Sequence, residues 1–408
     1  MNQKRILVVT QYIYPENFKS NELVFEMSKR GYHVDVLTGI PNYPEGVYFD
    51  GYGLFKKRIE KKAGVNFYRC WQSPRGRNAS GIGLSLNYIT FVISATFWVF
   101  FYFLWKKKYD AIIVHEPSPI TQLIPACFLG IMRKTPVYSW IMDIWPDAIR
   151  GSVSSSLYKL VSPILTSVTE WTYRHSDKIL ITSKGFEKLI CRNSDYHDKI
   201  VYYPNWSVDM SIGADEYKIP ELPNGFRIIL AGNLGEAQDL DHIGEAMKLV
   251  HDCKDVKWIF VGDGSRKKWL DSFIEDNHLE DTAITLGRFP GKAMPAFFKQ
   301  ADALLVSLRG GFIDLDMTVP ARVQSYMSAG RPILAMIGKG TVDLINEGDC
   351  GYAVGPSDSK ALADVIRNKI LTDRDAFEKK GVNARKMYEQ QFTLEKCISH
   401  LEDIIANE

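Results

Sequence analysis

Charge is missing from one long stretch of this chain. Between Asn78 and Trp105 there is no acidic or basic residue, a length that could span a hydrocarbon core of roughly 30 Å. Other absences narrow the reading further. The six cysteines stand singly at 70, 127, 191, 253, 350 and 397. None forms the CxxC spacing of a zinc site, and their scatter fits a reducing compartment. The net charge is only +2, too small to argue for nucleic acid. No tandem repeat or low-complexity tract is visible. The opening "MNQKRILVVTQYIYP" has an apolar run that Gln11 ends after a few residues, so it reads as a first strand and not as a signal peptide.

What remains is a globular composition. The 408 residues are 46% hydrophobic and 24% charged, enough for two domains of about 200 residues. Short β-rich runs alternate with helical patterns throughout. Strands are expected at 5–10, 33–38, 65–70, 111–115, 136–142, 178–182 and 200–203. A second series follows at 226–232, 256–262, 283–287, 303–307, 332–337 and 351–354. Near-continuous apolar strands separated by helices predict parallel sheets covered on both faces. Two such series predict an α/β protein of two doubly wound domains. The segment 204–225 is rich in Pro, Gly, Asn and Asp and reads as the interdomain linker.

This order bears on the charge-free stretch. It lies between the strands 65–70 and 111–115 of one expected sheet. A membrane span there would put those strands on opposite sides of a bilayer. A buried crossover helix is one reading. The favoured one is a crossover helix with one face on the sheet and the other in a membrane surface. Some of Phe91, Trp98, Phe101, Tyr102 and Trp105 would then point outward. Basic residues cluster around the stretch, at Lys56-Lys57-Arg58, Lys61-Lys62, Arg75, Arg77 and Lys106-Lys107-Lys108. Near anionic lipid each is worth roughly 1 kcal/mol; as solvated loops they need no partner.

In open α/β sheets ligands gather at the carboxyl ends of the strands. After the first strand, Ser20 or Asn21 can cap a helix. After the second, "GIPNYPEGVYFDGYG" makes a rigid aromatic loop that suits a sugar. His115 and Glu116 end one apolar strand, and Asp143 and Asp147 follow the next. A carboxylate there either caps a turn or handles an acceptor hydroxyl. In the second half, "LAGNLGEAQDLDHI" and "FVGDGSRKKWL" place glycines between strand and helix, where phosphate can approach backbone. Arg288 beside Phe289 offers a base-stacking position. Arg309, Asp314, Asp316 and Arg322 crowd the stretch before "SAGRPI", and "IGKGTVDLI" opens another helix. Arginines around several helix N-termini describe a diphosphate site.

In chain order, "QYIYPE", "GIPNYPEG", "DIWPD", "PNWS", "AGNLGEAQDL", "VGDG" and "VPARVQSYMSAGRPI" resemble the retaining family 4 glycosyltransferases of GT-B fold. Within that family the likeness is to the WbuB-like and WcaI-like subgroup of bacterial surface-polysaccharide synthesis. It extends over essentially the whole chain. It implies an acceptor-binding Rossmann-like domain at 1–205 with a membrane-facing helix at 83–107. It further implies a nucleotide-sugar-binding Rossmann-like domain at 206–383 and a terminal helix, 384–408, packing back on the first domain. The implied reaction moves an N-acetylated or deoxy hexose from a UDP-sugar to a polyprenyl-diphosphate-linked saccharide. It takes place on the cytoplasmic face of the inner membrane, with retention, and without metal, cofactor or nucleic acid.

The resemblance assigns catalytic roles to Asp143, His115 and Asp316. It assigns donor binding to Gly232, Asn233, Gly235, Gly262, Arg288, Phe289, Arg309, Arg322, Ser325, Gly340 and Thr341, with Arg322 in the place of the family's phosphate-binding lysine. Two departures stand out. The family's glutamate pair falls on Met317 and Ser325, and its arginine and lysine on Asn233 and Gln238. Arg309 or Lys339 is expected to restore the lost charge. A sugar-nucleotide epimerase and a catalytically degenerate membrane-bound partner protein are the rival readings.

Overall fold

The computed structural model describes residues 3–77, 81–151 and 153–407. The chain forms two compact units. One runs to Tyr203 and takes back the segment from Ile398 onward; the other is Pro204–Cys397. The first unit is built on β1 (Arg5–Val9), β2 (His33–Gly39), β3 (Ile59–Lys62), β4 (Val65–Cys70), β5 (Ala111–Glu116), β6 (Val137–Ile141), β7 (Lys178–Ile181) and β8 (Ile200–Tyr202). They lie in the order β3-β4-β2-β1-β5-β6-β7-β8. All pairs are parallel except β3 with β4. The expected strands are present, and β3 is the one the sequence hid. Its "IEKK" is exposed or half-exposed at the sheet edge, where charge is the usual guard against stray pairing.

Four helices of this unit matter below: α1 (Lys19–Lys29), α2 (Gly81–Phe101), α3 (Leu123–Arg133) and α4 (Ser155–Arg174). α2 is the charge-free stretch. Its buried positions are Asn87, Phe91, Ala95 and Val99, every fourth residue, which is one helix face. The opposite side exposes Ile82, Leu86, Ile89, Ile93, Phe97 and Phe101. Gly81–Trp105 is the one helical segment among the described residues long and apolar enough to cross a membrane, and most of it is exposed or half-exposed. The strands before and after it, β4 and β5, belong to one sheet, so a crossing would pull that sheet apart.

The structure selects among the candidate outward rings and corrects the place of one lysine. Phe91 is fully buried, and Trp98 packs on Tyr68 and Tyr102, whereas Phe101 and Trp105 point outward. Lys106 does not stand free beside Lys107 and Lys108: its ammonium lies 3.1 Å from the buried Asp35 carboxylate. The Tyr109 hydroxyl donates to the same carboxylate.

The second unit is a six-stranded parallel sheet of β9 (Phe226–Asn233), β10 (Val256–Asp263), β11 (Ala283–Gly287), β12 (Ala303–Ser307), β13 (Ile333–Met336) and β14 (Gly351–Val354), in the order β11-β10-β9-β12-β13-β14. Apolar clusters cover both faces. The segment 204–225 is not a free linker. Leu222 is buried in this unit's core, Asp209 pairs with Arg385 at 2.6 Å, and the Met210 N–H donates to Ser328 Oγ. The expected boundary at 383/384 falls inside the helix Arg374–Gln391, and the chain leaves this unit within the next helix, Leu394–Ala406. In the first unit Glu402 accepts from Arg30.

Candidate functional site

In the second unit, β9 and β10 stay paired to their carboxyl ends, with Gly262 opposite Gly232. Gly232 has φ 128° and Gly262 φ 157°, and a Cβ on Gly262 would stand 1.8 Å from the Gly232 carbonyl oxygen. Only glycine fits this approach. The bare backbone opens a cavity of about 670 Å³, bordered by Gly232, Asn233, Gly262, Arg288 and Phe289, with Asp263, Gly264 and Met294 completing the wall. The Phe289 ring rests edge-on against Phe297 at 4.9 Å. Arg322, in the first turn of the helix Ala321–Ser328, brings Nη2 to 3.3 Å from where a Gly232 Cβ would be. Its Nη1 is buried without a hydrogen-bond partner. A buried donor left unmatched costs about 1–3 kcal/mol, and an anion seated at Gly232 would remove that cost.

Other expected donor residues serve the fold. Arg309 is held by Asp241 at 2.6 Å and Asp239 at 3.5 Å, so its charge is neutralised locally. Lys339 pairs with Asp343 one turn along its helix at 2.7 Å. Neither restores the charge missing at Asn233 and Gln238. Gln238 folds back instead, and its side-chain oxygen accepts from the Gly235 N–H at 3.0 Å. Gly340 lies hard against the Met317 carbonyl, and Thr341 Oγ1 donates to the Thr318 carbonyl at 2.9 Å. That helix start is therefore covered by backbone. Ser325 Oγ is 2.9 Å from Ser207 Oγ. Asp316 is half-buried, and burial raises its pKa above the usual carboxylate value.

In the first unit, the carboxyl ends of β1, β2, β4, β5 and β6 carry a second constellation. Glu16 is 2% exposed and accepts from the backbone N–H groups of Asn42 and Tyr43 at 2.7 Å and of Ile13 at 3.2 Å. It ties the loop after β1 to the loop after β2. Burial pushes its carboxyl up to about 7, against the pull of those N–H donors. Gln11, Gln72 and Asn87 form a buried amide network, in which Gln11 Nε2 donates at 2.8 Å to both partners. The Tyr12 hydroxyl also donates to Asn87. Asn21 does not cap α1; its side chain accepts from the Tyr14 N–H and donates to the Glu16 carbonyl, both at 2.7 Å. Ser20 is buried, and its hydroxyl makes no capping bond.

Asp143 is half-buried and accepts from Ser118 Oγ at 2.7 Å, while Trp145 Nε1 donates to the same Ser118. Asp147 is structural: Arg192 and the Tyr158 hydroxyl hold it. His115 is 1% exposed, with Nδ1 3.5 Å from Thr10 Oγ1 and Nε2 unpartnered. Burial lowers its pKa to about 3, so the ring is neutral. It is a core residue beside Trp140 and not a solvent-facing base. Glu116 is buried too, and desolvation and the nearby Asp143 charge push its pKa well above normal.

Sequence reasoning missed Glu16 and Asn87. Asn87 had a signal, being the polar residue at fourfold spacing from Phe91, Ala95 and Val99 on the buried stripe. One grouping among the described residues has metal-ligand character, Cys191, Asp195 and His197. It lies on the loop before β8, away from the strand ends that carry the constellation above.

WbjE of Pseudomonas aeruginosa, named as a probable glycosyltransferase, is 25% identical over 250 residues. That match covers 58% of this chain and spans 61% of the relative's own length. WcaI of Escherichia coli K12, whose name places it in colanic acid biosynthesis, is 22% identical over 334 residues, 76% of this chain and 77% of the relative. The solved structure of Anabaena HepE in complex with UDP matches with a TM-score of 0.68 at 15% identity, over 100% of both chains. Residues 20–206 match the Glycosyl transferase 4-like domain and residues 225–372 match Glycosyl transferases group 1; the chain therefore belongs to the group 1 glycosyltransferases, built on the GT-B fold.

Proposed function

We propose that the protein transfers a sugar from a UDP-sugar, with retention and without a metal, to a polyprenyl-diphosphate-linked saccharide in surface-polysaccharide synthesis. The observation that carries the donor half is the unmatched Arg322 guanidinium against Gly232. When the sugar–phosphate bond breaks, negative charge grows on the departing diphosphate. A fixed, partly desolvated arginine stabilises that charge more than the ground state. The cavity wall of Arg288 and Phe289 suits a base and its ribose. Likeness to WcaI, named for colanic acid biosynthesis, supports the pathway class, and the UDP held by HepE supports the nucleotide. Asp143, held by Ser118, is the group to orient the acceptor hydroxyl.

The outer stripe of α2 supports the lipid-linked acceptor. Its apolar face would lie in the cytoplasmic leaflet of the inner membrane as a peripheral anchor, with Lys107 and Lys108 at the headgroups. Met317 and Ser325 in place of the glutamate pair favour the rival, a degenerate partner protein. Calorimetric titration of UDP, GDP and dTDP into wild type and Arg322→Ala separates the two. UDP-selective binding that the mutant loses supports the enzyme. No nucleotide binding by the folded wild type would put the partner protein ahead. Transfer that survives EDTA tests the metal-free clause.

A further inference from the structure

Arg75 stands on the segment between β4 and α2, and its surroundings are all from the first unit. Its guanidinium carbon is 5.5 Å from the centre of the Tyr12 ring and 5.0 Å from that of Tyr43. Phe18 joins the same stack, 5.6 Å from Tyr12 and 5.3 Å from Tyr43. The backbone around Arg75 is pinned: its own N–H donates to Asn42 Oδ1 at 3.2 Å, and the Ser73 N–H donates to Thr90 Oγ1 of α2 at 2.8 Å. Two rings, themselves backed by Phe18, flank this cation, and two backbone hydrogen bonds hold the segment that carries it.

What the guanidinium lacks is an anion. Arg69 of the same unit makes an instructive contrast. It too lies over two rings, Tyr52 at 5.0 Å and Phe67 at 5.2 Å, but Glu60 meets it at 3.0 Å and the Tyr14 carbonyl accepts from it. Among the described residues no carboxylate pairs with Arg75, and no side-chain hydrogen bond engages its guanidinium. A half-buried arginine held against aromatic faces, with its guanidinium unpaired among the described residues, keeps a fork of donors available to a phosphate. The exposed edge of Tyr43 adds a flat surface for a sugar ring. Tyr88 lies within electrostatic range of both Arg75 and Asp143, so cation and carboxylate serve one neighbourhood. The outer stripe of α2 begins at Ile82 and continues through Leu86, Ile89 and Ile93. In sequence that stripe opens seven residues after Arg75.

We propose that Arg75, stacked on Tyr12 and Tyr43, is the receiving group for the phosphate of a prenyl-phosphate-linked acceptor. The inference rests on the acceptor class proposed above and adds the residue that selects for it. Phospholipid headgroups share the phosphate chemistry, so the test must part the two sources. Geranyl diphosphate is the soluble probe, titrated into the full-length wild type, Arg75→Gln and Arg75→Lys. UDP titration and sedimentation with phosphatidylcholine vesicles, with and without phosphatidylglycerol, run alongside.

The expected result is that Arg75→Gln weakens geranyl diphosphate roughly tenfold or more. Arg75→Lys should keep part of the binding, with UDP and vesicle binding unchanged in both. Geranyl diphosphate binding unchanged in Arg75→Gln, or absent from the wild type, overturns the proposal. Loss of vesicle binding with geranyl diphosphate retained would assign Arg75 to headgroups and equally overturn it. A wild type that binds geranyl diphosphate through Arg75 but no UDP would sink the donor reading and leave this one standing.

Discussion

The second unit exposes its large apolar side chains one at a time, at Val208, Ile212, Leu249, Ile313 and Val382. The first sets Ile82, Leu86, Ile89, Ile93, Phe97 and Phe101 in one stripe on α2, and adds Leu157, Leu160 and Ile164 on α4. The two also differ inside. At its strand ends the second unit offers bare glycine backbone and an arginine awaiting a partner. The first offers buried amides, aromatic rings and carboxyl groups forced off their usual pKa. On the function proposed above, the same α/β plan serves a water-soluble, highly charged ligand in one copy and a ligand with an apolar tail in the other. Scattered exposure is ordinary for a soluble surface, while a contiguous patch marks an interaction.

The largest effect expected from breaking this contrast separates the two faces of α2. Phe91→Asp puts a charge in the core and should cost more than about 4 kcal/mol, enough to prevent folding of that unit. Phe101→Asp should stay within about 0.5 kcal/mol in urea denaturation yet abolish sedimentation with anionic vesicles. If Phe101→Asp still sediments, the stripe is not a membrane face.

Next come the titrating groups buried in the first unit. Glu16, raised from 4.5 to about 7, contributes stability that is full below pH 4.5 and lost as the pH climbs to 7. His115, lowered from 6.5 to about 3, contributes above pH 6.5 and loses it as the pH falls. Each is worth on the order of 3–5 kcal/mol across its window, and the two slopes oppose each other. Relative to wild type, Glu16→Gln should make stability climb with pH between 4.5 and 6.5, and His115→Gln should make it fall. Urea midpoints across that range would read both slopes, and parallel curves for mutant and wild type would deny the shifts.

A smaller effect sharpens the other side. Arg322→Ala should weaken UDP by about 1.5–3 kcal/mol, roughly 10- to 150-fold, and leave vesicle binding untouched. The smallest concerns the lysine cluster. Lys107→Ala and Lys108→Ala should each weaken vesicle binding by about 1 kcal/mol without changing stability. Lys106→Ala should lower the thermal midpoint instead, because it strips the buried Asp35 of its ammonium.

The sheets were legible because parallel strands buried on both faces are written as apolar runs, and β1, β5 and β6 are such runs. β3 was not, since an edge strand of "IEKK" has neither alternation nor apolar weight. In the second unit the glycines of the cavity could be read from their position after strands. Arg309 and Lys339 could not be told from Arg322, because the carboxylates that hold them come from elsewhere in the chain or from one helical turn away. The first unit's site hid for a related reason. Its residues come from three separate segments, Gln11 with Glu16, Gln72 with Arg75, and Asn87, and nothing local says that Glu16 will meet the N–H groups of the loop after β2. Three of those residues are neutral amides, which no charge pattern betrays.

The two faces of α2 have no residue in common. Asn87, Phe91, Ala95 and Val99 belong to the interior, and the outer stripe belongs to whatever lies beyond it. On the membrane-face reading proposed above, attachment to a bilayer and integrity of the buried amide network are therefore separable traits of one helix. A chain repainted with polar residues along the stripe should come out of cells in plain buffer with its amide network intact, a soluble form on which acceptor chemistry can be read without a bilayer.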